Sequence, residues 1–137
     1  MLQRVPQAWA APGQPHHQIR LLIEDPDPVL AVSDFDTYQE AGLDVGLCAG
    51  PSAEGDCPLL VGMECPLLSE ADVVLHHLPA GTGVLDAIRS RSEHPPLVTV
   101  GGPDANLSAA VPVPSRIRAV MREATRWIAR PDTSTTV

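Results

Sequence analysis

The sequence predicts an α/β fold in which helices cover both faces of a parallel β-sheet. Short apolar segments alternate along the chain with segments of helical periodicity. The apolar segments are nearly continuous runs of Leu, Ile and Val, which is the pattern of strands buried on both faces. The chain has 137 residues, of which 44% are hydrophobic, enough for one domain with its own core.

The chain begins its regular structure with a strand and a helix. Ile19 to Ile23 (IRLLI) is a short apolar run that predicts a buried first strand. Val29 to Ala41 predicts a helix, which Gly42 ends. The prediction of this helix depends on positions that keep a helical spacing only loosely: Val29, Val32 and Phe35 or Asp36.

The next two segments differ sharply from each other. Leu43 to Cys48 (LDVGLC) predicts the second strand. Gly50 to Glu70 contains three prolines, and proline interrupts a helix because it lacks the backbone N–H and clashes with the preceding turn. We therefore expect the second helix to be shortened or missing.

The second half of the chain repeats the alternation. Asp72 to Leu78 (DVVLHHL) predicts the third strand, Thr82 to Ser92 a helix, and Pro96 to Gly101 the fourth strand. Only Gly102 to Ser108 follows, and seven residues hold at most about two helical turns. A fourth helix is therefore also expected to be short or absent.

The chain closes with a predicted strand and the clearest helix in the sequence. Ala109 to Val113 predicts a short fifth strand, and Ser115 is a candidate cap for the last helix. That helix has a well-defined apolar stripe: Ile117, Val120, Met121, Ala124, Trp127 and Ile128. Five parallel strands suit a three-layer, flavodoxin-like sandwich with the strand order 2-1-3-4-5, whose working site lies at the carboxyl ends of the strands.

Composition limits the function. The net charge is −8, which argues against nucleic-acid binding because phosphate contacts need clustered cations. No apolar run could span a bilayer or serve as a secretory signal, so we expect a cytoplasmic protein without membrane contact. Residues 1–18 and 130–137 lack periodicity and are predicted to be flexible tails around one domain at 19–129.

Four short segments carry features of a known family. Glu24-Asp25 follows the first strand, and the third strand runs into His77 and Pro79. Gly81, Gly83, Leu85 and Ile88-Arg89 come next, and Val113-Pro114 follows the fifth strand. In this order and spacing, from about Ile19 to about Ile128, they resemble the receiver domain of two-component response regulators.

The resemblance implies a phosphorylation pocket that this chain has altered. The family places an acidic pair where Glu24 and Asp25 stand, to bind Mg²⁺, and the phosphorylated aspartate where His77 stands. The family has a Thr or Ser where this chain has Gly101, and a Lys-Pro pair where this chain has Val113-Pro114. Imidazole in place of a carboxylate weakens a site for a hard cation, and without the lysine nothing balances the phosphoryl charge. We therefore expect a pseudo-receiver that is not phosphorylated on aspartate.

The function this predicts is regulatory rather than enzymatic. The sequence pairs no nucleophile with a base and contains no glycine-rich phosphate loop. We expect no cofactor and no bound metal, and action through an unidentified protein partner or through a homodimer. His76 and His77 are adjacent on a strand and should point to opposite faces. His77 is either a simple loss of the phosphorylated residue or a group that titrates near neutral pH and senses protons or a metal.

Cys48, Cys57 and Cys65 support an alternative function. They are close in sequence, and two of them lie in a repeated Cys-Pro-Leu-Leu phrase. Three interpretations remain open: small buried residues, a Cys57–Cys65 disulfide formed on oxidation, or three thiolates that bind a metal together with a histidine. The second and third would make the chain a redox or metal sensor on a receiver-like fold.

Overall fold

The structure is a computed structural model that describes residue 9 and the ranges 18–48, 57–77, 83–101, 105–108 and 110–130. Its strands are β1 (Arg20–Glu24), β2 (Asp44–Cys48), β3 (Val73–His76) and β4 (Leu97–Thr99). Its helices are α1 (Pro28–Glu40), α2 (Pro66–Glu70), α3 (Val84–Arg89) and α4 (Val113–Ile128), with a short 3₁₀-helix at Pro58–Val61. None of these helices is long and apolar enough to cross a membrane.

The strands form one parallel sheet in the order β2-β1-β3-β4. This confirms the predicted α/β class and the predicted order of the first four strands. In the register, Glu24 lies opposite Cys48 on one side and His76 on the other. The carboxyl ends of β1, β2 and β3 therefore meet at one edge of the sheet, where the functional residues were predicted.

The predicted fifth strand at 109–113 is not confirmed. In the described part of that segment, Ala110 and Val111 lie in a turn and a bend, and Val113 begins α4. Pro112 and Pro114 have no N–H to donate to a β-ladder, which explains why the segment does not pair. Among the described residues, the fifth position of the sheet is marked by an isolated parallel bridge from Leu107 to Val100.

Asn106 holds the bridge segment against β4. Its Oδ1 accepts hydrogen bonds from the backbone N–H of Thr99 at 2.6 Å and from the Thr99 hydroxyl at 2.8 Å. The N–H of Leu107 then donates to the Thr99 carbonyl at 3.0 Å. Hydrogen bonds with the Asn106 side chain thus take the place of backbone pairing at this position of the sheet.

The helix ends follow local chemistry. Asp27 caps α1, because its Oδ1 accepts from the N–H groups of Val29 and Leu30, and Pro28 occupies the first turn. α4 begins at Val113 after Pro112, so Ser115 lies inside the helix and is not its cap, contrary to the prediction. The five-residue α2 and the 3₁₀-helix confirm that the second helix is shortened.

Two apolar clusters lie on opposite faces of the sheet. The first contains Leu21 and Ile23 of β1 together with Tyr38 of α1 and Val120 of α4. The second contains Leu22 of β1 and side chains from the 3₁₀-helix, α2 and α3. Strand alternation produces this division, since successive side chains of β1 point to opposite faces.

Trp9 belongs to the second cluster. It is 4% exposed, and the Arg20 guanidinium lies over its ring at 5.8 Å from the centroid. Trp9 therefore packs on the domain although it falls in the segment predicted to be a tail. The aperiodic sequence around it gave no sign of this contact.

The inward stripe of α1 also differs from the prediction. Val29 and Val32 are 74% and 55% exposed, whereas Ala31 and Tyr38 are buried. Because Ala31 and Tyr38 are seven residues apart, they lie on one face of the helix. Asp34 lies between them on this inward side and is partly buried.

Tyr38 provides a spectroscopic test of this packing. Burial, together with the negative charge of Asp34, raises the pKa of Tyr38 to about 12. Because the pKa is raised on folding, the resulting stability is complete below the unfolded value of about 10 and is lost as the pH rises through about 12. Tyr38 is the chain's one tyrosine, so an alkaline titration of tyrosinate absorbance reports it alone. We expect a midpoint near 12 while the circular dichroism remains native, and near 10 in denaturant. Equal midpoints in both states would show that Tyr38 is not buried.

Candidate functional site

The candidate site lies at the carboxyl edge of β1 and β3, and the sheet divides it in two. Glu24 and His76 are in phase with Leu22 and face the second cluster. Asp25 and His77 follow one residue later and face α1. The opposite directions predicted for His76 and His77 fit this arrangement. The same alternation places Glu24 and Asp25 on opposite faces, so the structure brings Asp25 and His77 together without Glu24.

Glu24 and His76 form a buried pair. His76 Nδ1 lies 2.7 Å from Glu24 Oε1, and both side chains are about 95% buried. They are also direct partners in the β1–β3 register. A buried carboxylate is costly unless it is hydrogen-bonded or paired, and His76 meets that need for Glu24.

The three cysteines lie at the margin of the second cluster. Each is half-buried and carries a free thiol. Cys57 and Cys65 precede the 3₁₀-helix and α2 respectively, and neither side chain caps the helix that follows. The disulfide interpretation remains a prediction about oxidised protein.

The electrostatics of Cys57 do not favour a reactive thiol. Burial is the main cause that raises the pKa of Cys57, and the nearby Cys65 and Glu24 raise it further. The backbone N–H groups of Leu59 and Leu60 oppose this in part. Because the thiolate is the nucleophile and the metal ligand, a raised pKa weakens the redox-sensor alternative.

Asp25, Asp34 and His77 converge on the other side of the sheet. Among the described residues they form the one group of His, Cys, Asp and Glu donors whose ligand atoms lie within 4.8 Å of one another. This group contains no cysteine, so among the described residues the third interpretation of the cysteines, three thiolates with a histidine, is not supported. Asp25 is buried and His77 and Asp34 are half-buried, so water reaches the group only partly.

Backbone contacts hold two of these side chains in place. Asp25 Oδ1 accepts a hydrogen bond from the Asp27 N–H at 2.9 Å, at the residue that caps α1. The N–H of His77 donates to the Glu24 carbonyl at 2.8 Å, continuing the sheet past the end of β3. The first turn of α1 and the β1–β3 ladder therefore determine where Asp25 and His77 meet.

Asp34 is a site residue that the sequence pattern did not predict. The error follows from assigning Val29 and Val32 to the buried face of α1. The spacing of Ala31, Phe35 and Tyr38 is the signal that would have placed Asp34 on the inward side.

The ionisable groups of this site influence one another. Burial raises the pKa of Asp34; the charge of His77 opposes this rise and that of Asp25 adds to it. Burial also lowers the pKa of His77, against the attraction of Asp25 and Asp34. His77 is therefore mainly a neutral imidazole at neutral pH.

Arg116 is the cation that α4 brings to the site. Its charge lowers the pKa values of both Asp34 and His77. Its Nε donates to the Val111 carbonyl at 3.0 Å, which holds it at the start of α4.

The remaining predicted site residues are not polar contributors. Gly101 has φ +72°, in the left-handed region that favours glycine, and its N–H donates to the Leu107 carbonyl. Val113 and Pro114 are exposed on the first turn of α4. The nearby Thr99 hydroxyl is bonded to Asn106.

The Mg²⁺ site that the family resemblance implies does not fit these residues. Mg²⁺ prefers near-octahedral oxygen ligands. Here the Glu24 carboxylate is bound to His76 on the opposite face, and an imidazole stands at position 77. Glu24 and Asp25 therefore cannot both coordinate one ion in this arrangement.

Comparison with solved structures identifies the architecture. A response regulator receiver domain protein from Bacillus halodurans matches with a TM-score of 0.55. The fold is that of a receiver domain. The match covers 85% of this chain and 100% of the other, at 14% sequence identity, and at that identity the likeness shows the fold alone. No protein-family model and no curated protein matches the sequence.

The Glu24–His76 pair should stabilise this receiver-like fold. His76→Ala leaves Glu24 buried without its partner, and we expect the free energy of unfolding to fall by about 3 kcal/mol. Chemical denaturation measures the change. His94→Ala, in the loop before β4, is the matched control and should cost less than about 1 kcal/mol.

A double variant distinguishes an unpaired charge from lost packing. Glu24→Leu combined with His76→Leu removes both partners and should recover much of the stability lost in His76→Ala. A double variant no more stable than the single one would show that the pair is not the source of the loss.

Cys57 should react slowly. With its thiol pKa raised, alkylation by iodoacetamide at neutral pH should be slower in the native protein than in denaturant. Peptide mapping by mass spectrometry identifies the labelled position. The alkylation rate should increase with pH, and the midpoint of that increase should lie above the ordinary cysteine pKa of about 8.5. Rapid native labelling of Cys57 at neutral pH would revive the redox-sensor alternative.

Proposed function

We propose that this chain is a cytoplasmic receiver-like regulatory domain that acts by contacts with other proteins and is not phosphorylated on aspartate. The observation that carries the proposal is the imidazole of His77 beside Asp25, at the carboxyl edge where the family resemblance expects the phosphorylated carboxylate. The domain is a pseudo-receiver in this sense.

The chemistry of aspartyl phosphorylation needs three components at one place. A carboxylate must attack the phosphoryl group, a divalent cation must bridge the oxygens, and a positive side chain must balance the charge that develops. Position 77 offers an imidazole instead of the carboxylate. Glu24 is bound to His76 and is not available as an oxygen ligand for the cation.

The lysine that supplies the third component in the family is absent from this sequence. All nine basic Lys or Arg residues are arginine, so the sequence contains no lysine. This conclusion does not depend on any alignment of Val113. Arg116 supplies positive charge near the site, but a planar guanidinium cannot replace the compact ammonium of lysine in kind.

The surface of α1 supports action through protein contacts. Its first turns expose Val29, Leu30 and Val32, with Val29 at 74% and the other two above half exposed. Exposed apolar side chains grouped on one helix are typical of an interaction surface. These three side chains follow Asp27, which caps α1 and contacts Asp25. A partner bound there would therefore lie close to the candidate site.

Mass spectrometry after incubation with acetyl phosphate and Mg²⁺ tests the absence of phosphorylation. We expect the wild-type chain to gain no phosphoryl group under conditions that label a known receiver domain. His77→Gln is the companion variant, because it removes the one nucleophile that the site could offer instead of aspartate.

Two results would contradict the proposal. A hydroxylamine-sensitive phosphoryl group on wild type and His77→Gln would lie on a carboxylate and restore the ordinary phosphorylated receiver. An acid-labile group present on wild type and absent from His77→Gln would be phosphohistidine, so the domain would carry a phosphoryl switch after all.

A further inference from the structure

We propose that Asp25, Asp34 and His77 bind a divalent transition-metal ion of the Zn²⁺ or Co²⁺ type. The three side chains come from different elements: the end of β1, the second turn of α1 and the residue after β3. The fold thus brings together donors that are separated by up to 52 residues in the sequence.

The donor spacing suits one ion. The three ligand atoms lie within 4.8 Å of one another, and His77 Nε2 lies 4.0 Å from Asp34 Oδ2. Two ligands at about 2.1 Å from a tetrahedral ion stand about 3.4 Å apart, so binding requires only a small contraction of the group. Asp34 and His77 can supply it by side-chain rotation, while Asp25 is held by the Asp27 N–H.

The hydrogen bonding of the His77 imidazole supports a metal site independently of the donor spacing. His77 Nε2 is buried, and among the described residues it has no hydrogen-bond partner. Its approach to Asp34 at 4.0 Å is too long for a hydrogen bond. Buried polar atoms are nearly always satisfied, and a cation held by Asp25, Asp34 and His77 would give this nitrogen a partner.

Charge also favours a cation. The negative charge of Asp25 lies across a partly buried gap from Asp34 and raises the pKa of Asp34. Arg116 offsets this from one side. A divalent ion between the carboxylates neutralises both and keeps open positions for water, as in sites with three protein ligands.

The donor set selects the class of metal. Imidazole with two carboxylates suits Zn²⁺, Co²⁺, Fe²⁺ or Mn²⁺, whereas Mg²⁺ and Ca²⁺ favour oxygen alone. The site therefore differs from the family's magnesium site in its ion and in its ligands, since it uses Asp34 and excludes Glu24.

Titration of the reduced full-length chain with Co²⁺, followed by absorption spectroscopy, tests the proposal. We expect one equivalent to bind with weak visible bands of nitrogen and oxygen ligands and without the intense near-ultraviolet bands of thiolate ligands. A large excess of Mg²⁺ should not displace it. Bound Co²⁺ should broaden the nuclear magnetic resonance signals of the His77 ring and raise the thermal unfolding midpoint.

Matched variants locate the site. Asp34→Asn and His77→Gln should each weaken Co²⁺ binding at least about tenfold. Asp36→Asn removes the same charge from an exposed position on α1 and should leave the affinity unchanged. If a site variant fails to fold, the broadening of His77 signals in the wild-type chain still decides the matter.

Three outcomes would overturn the proposal: no binding, thiolate bands that assign the ion to the cysteines, or equal affinity in Asp34→Asn and Asp36→Asn. The last would place the ion elsewhere on the chain. The phosphodonor experiment is independent, because a chain that binds no transition metal could still lack aspartyl phosphorylation, and the reverse also holds.

Discussion

The structure depends on the complete burial of β1 at the centre of the parallel sheet. All five of its residues are buried, although the strand begins with Arg20 and ends with Glu24. A buried charge needs a partner, and both ends have one. Arg20 lies 3.0 Å from Glu70 of α2 and 3.6 Å from Asp44 of β2, and Glu24 lies 2.7 Å from His76 of β3. These pairs help to specify which elements flank β1 and in which register.

The pairing of Glu24 determines what the carboxyl edge can do. Because His76 holds Glu24 on the face of the 3₁₀-helix, α2 and α3, the other face receives only Asp25 from the acidic pair. Asp34 of α1 supplies a second carboxylate there, and His77 supplies a nitrogen. The edge therefore presents a mixed nitrogen and oxygen group on the side of α1 and the buried, hydrogen-bonded Glu24–His76 pair on the other side.

Strands were easier to predict from this sequence than helices or contacts. Continuous apolar runs such as Leu21 to Ile23 identify buried strands directly, and the strand order of the first four followed from the alternation of elements. The predicted inward face of α1 was wrong because apolar Val29 and Val32 are exposed, whereas Ala31 and Tyr38 are buried. At the site, the alternation that separates His76 from His77 also separates Glu24 from Asp25. Asp34 was missed because the prediction placed Val29 and Val32, and not Ala31 and Tyr38, on the buried face of α1.

Replacement of a carboxylate by an imidazole changes the kind of signal that such an edge can receive. A site of oxygen ligands discriminates among cations by charge and coordination number and favours Mg²⁺. One nitrogen ligand shifts the preference to metals later in the first transition row, by the order of their affinities for nitrogen donors. Under the proposed function, the same imidazole also stands in place of the nucleophile for aspartyl phosphorylation, and the sequence has no lysine to support that reaction. The two proposals therefore meet at a single position, His77: one proposes that a phosphoryl input is lost there, and the other that a metal input is gained.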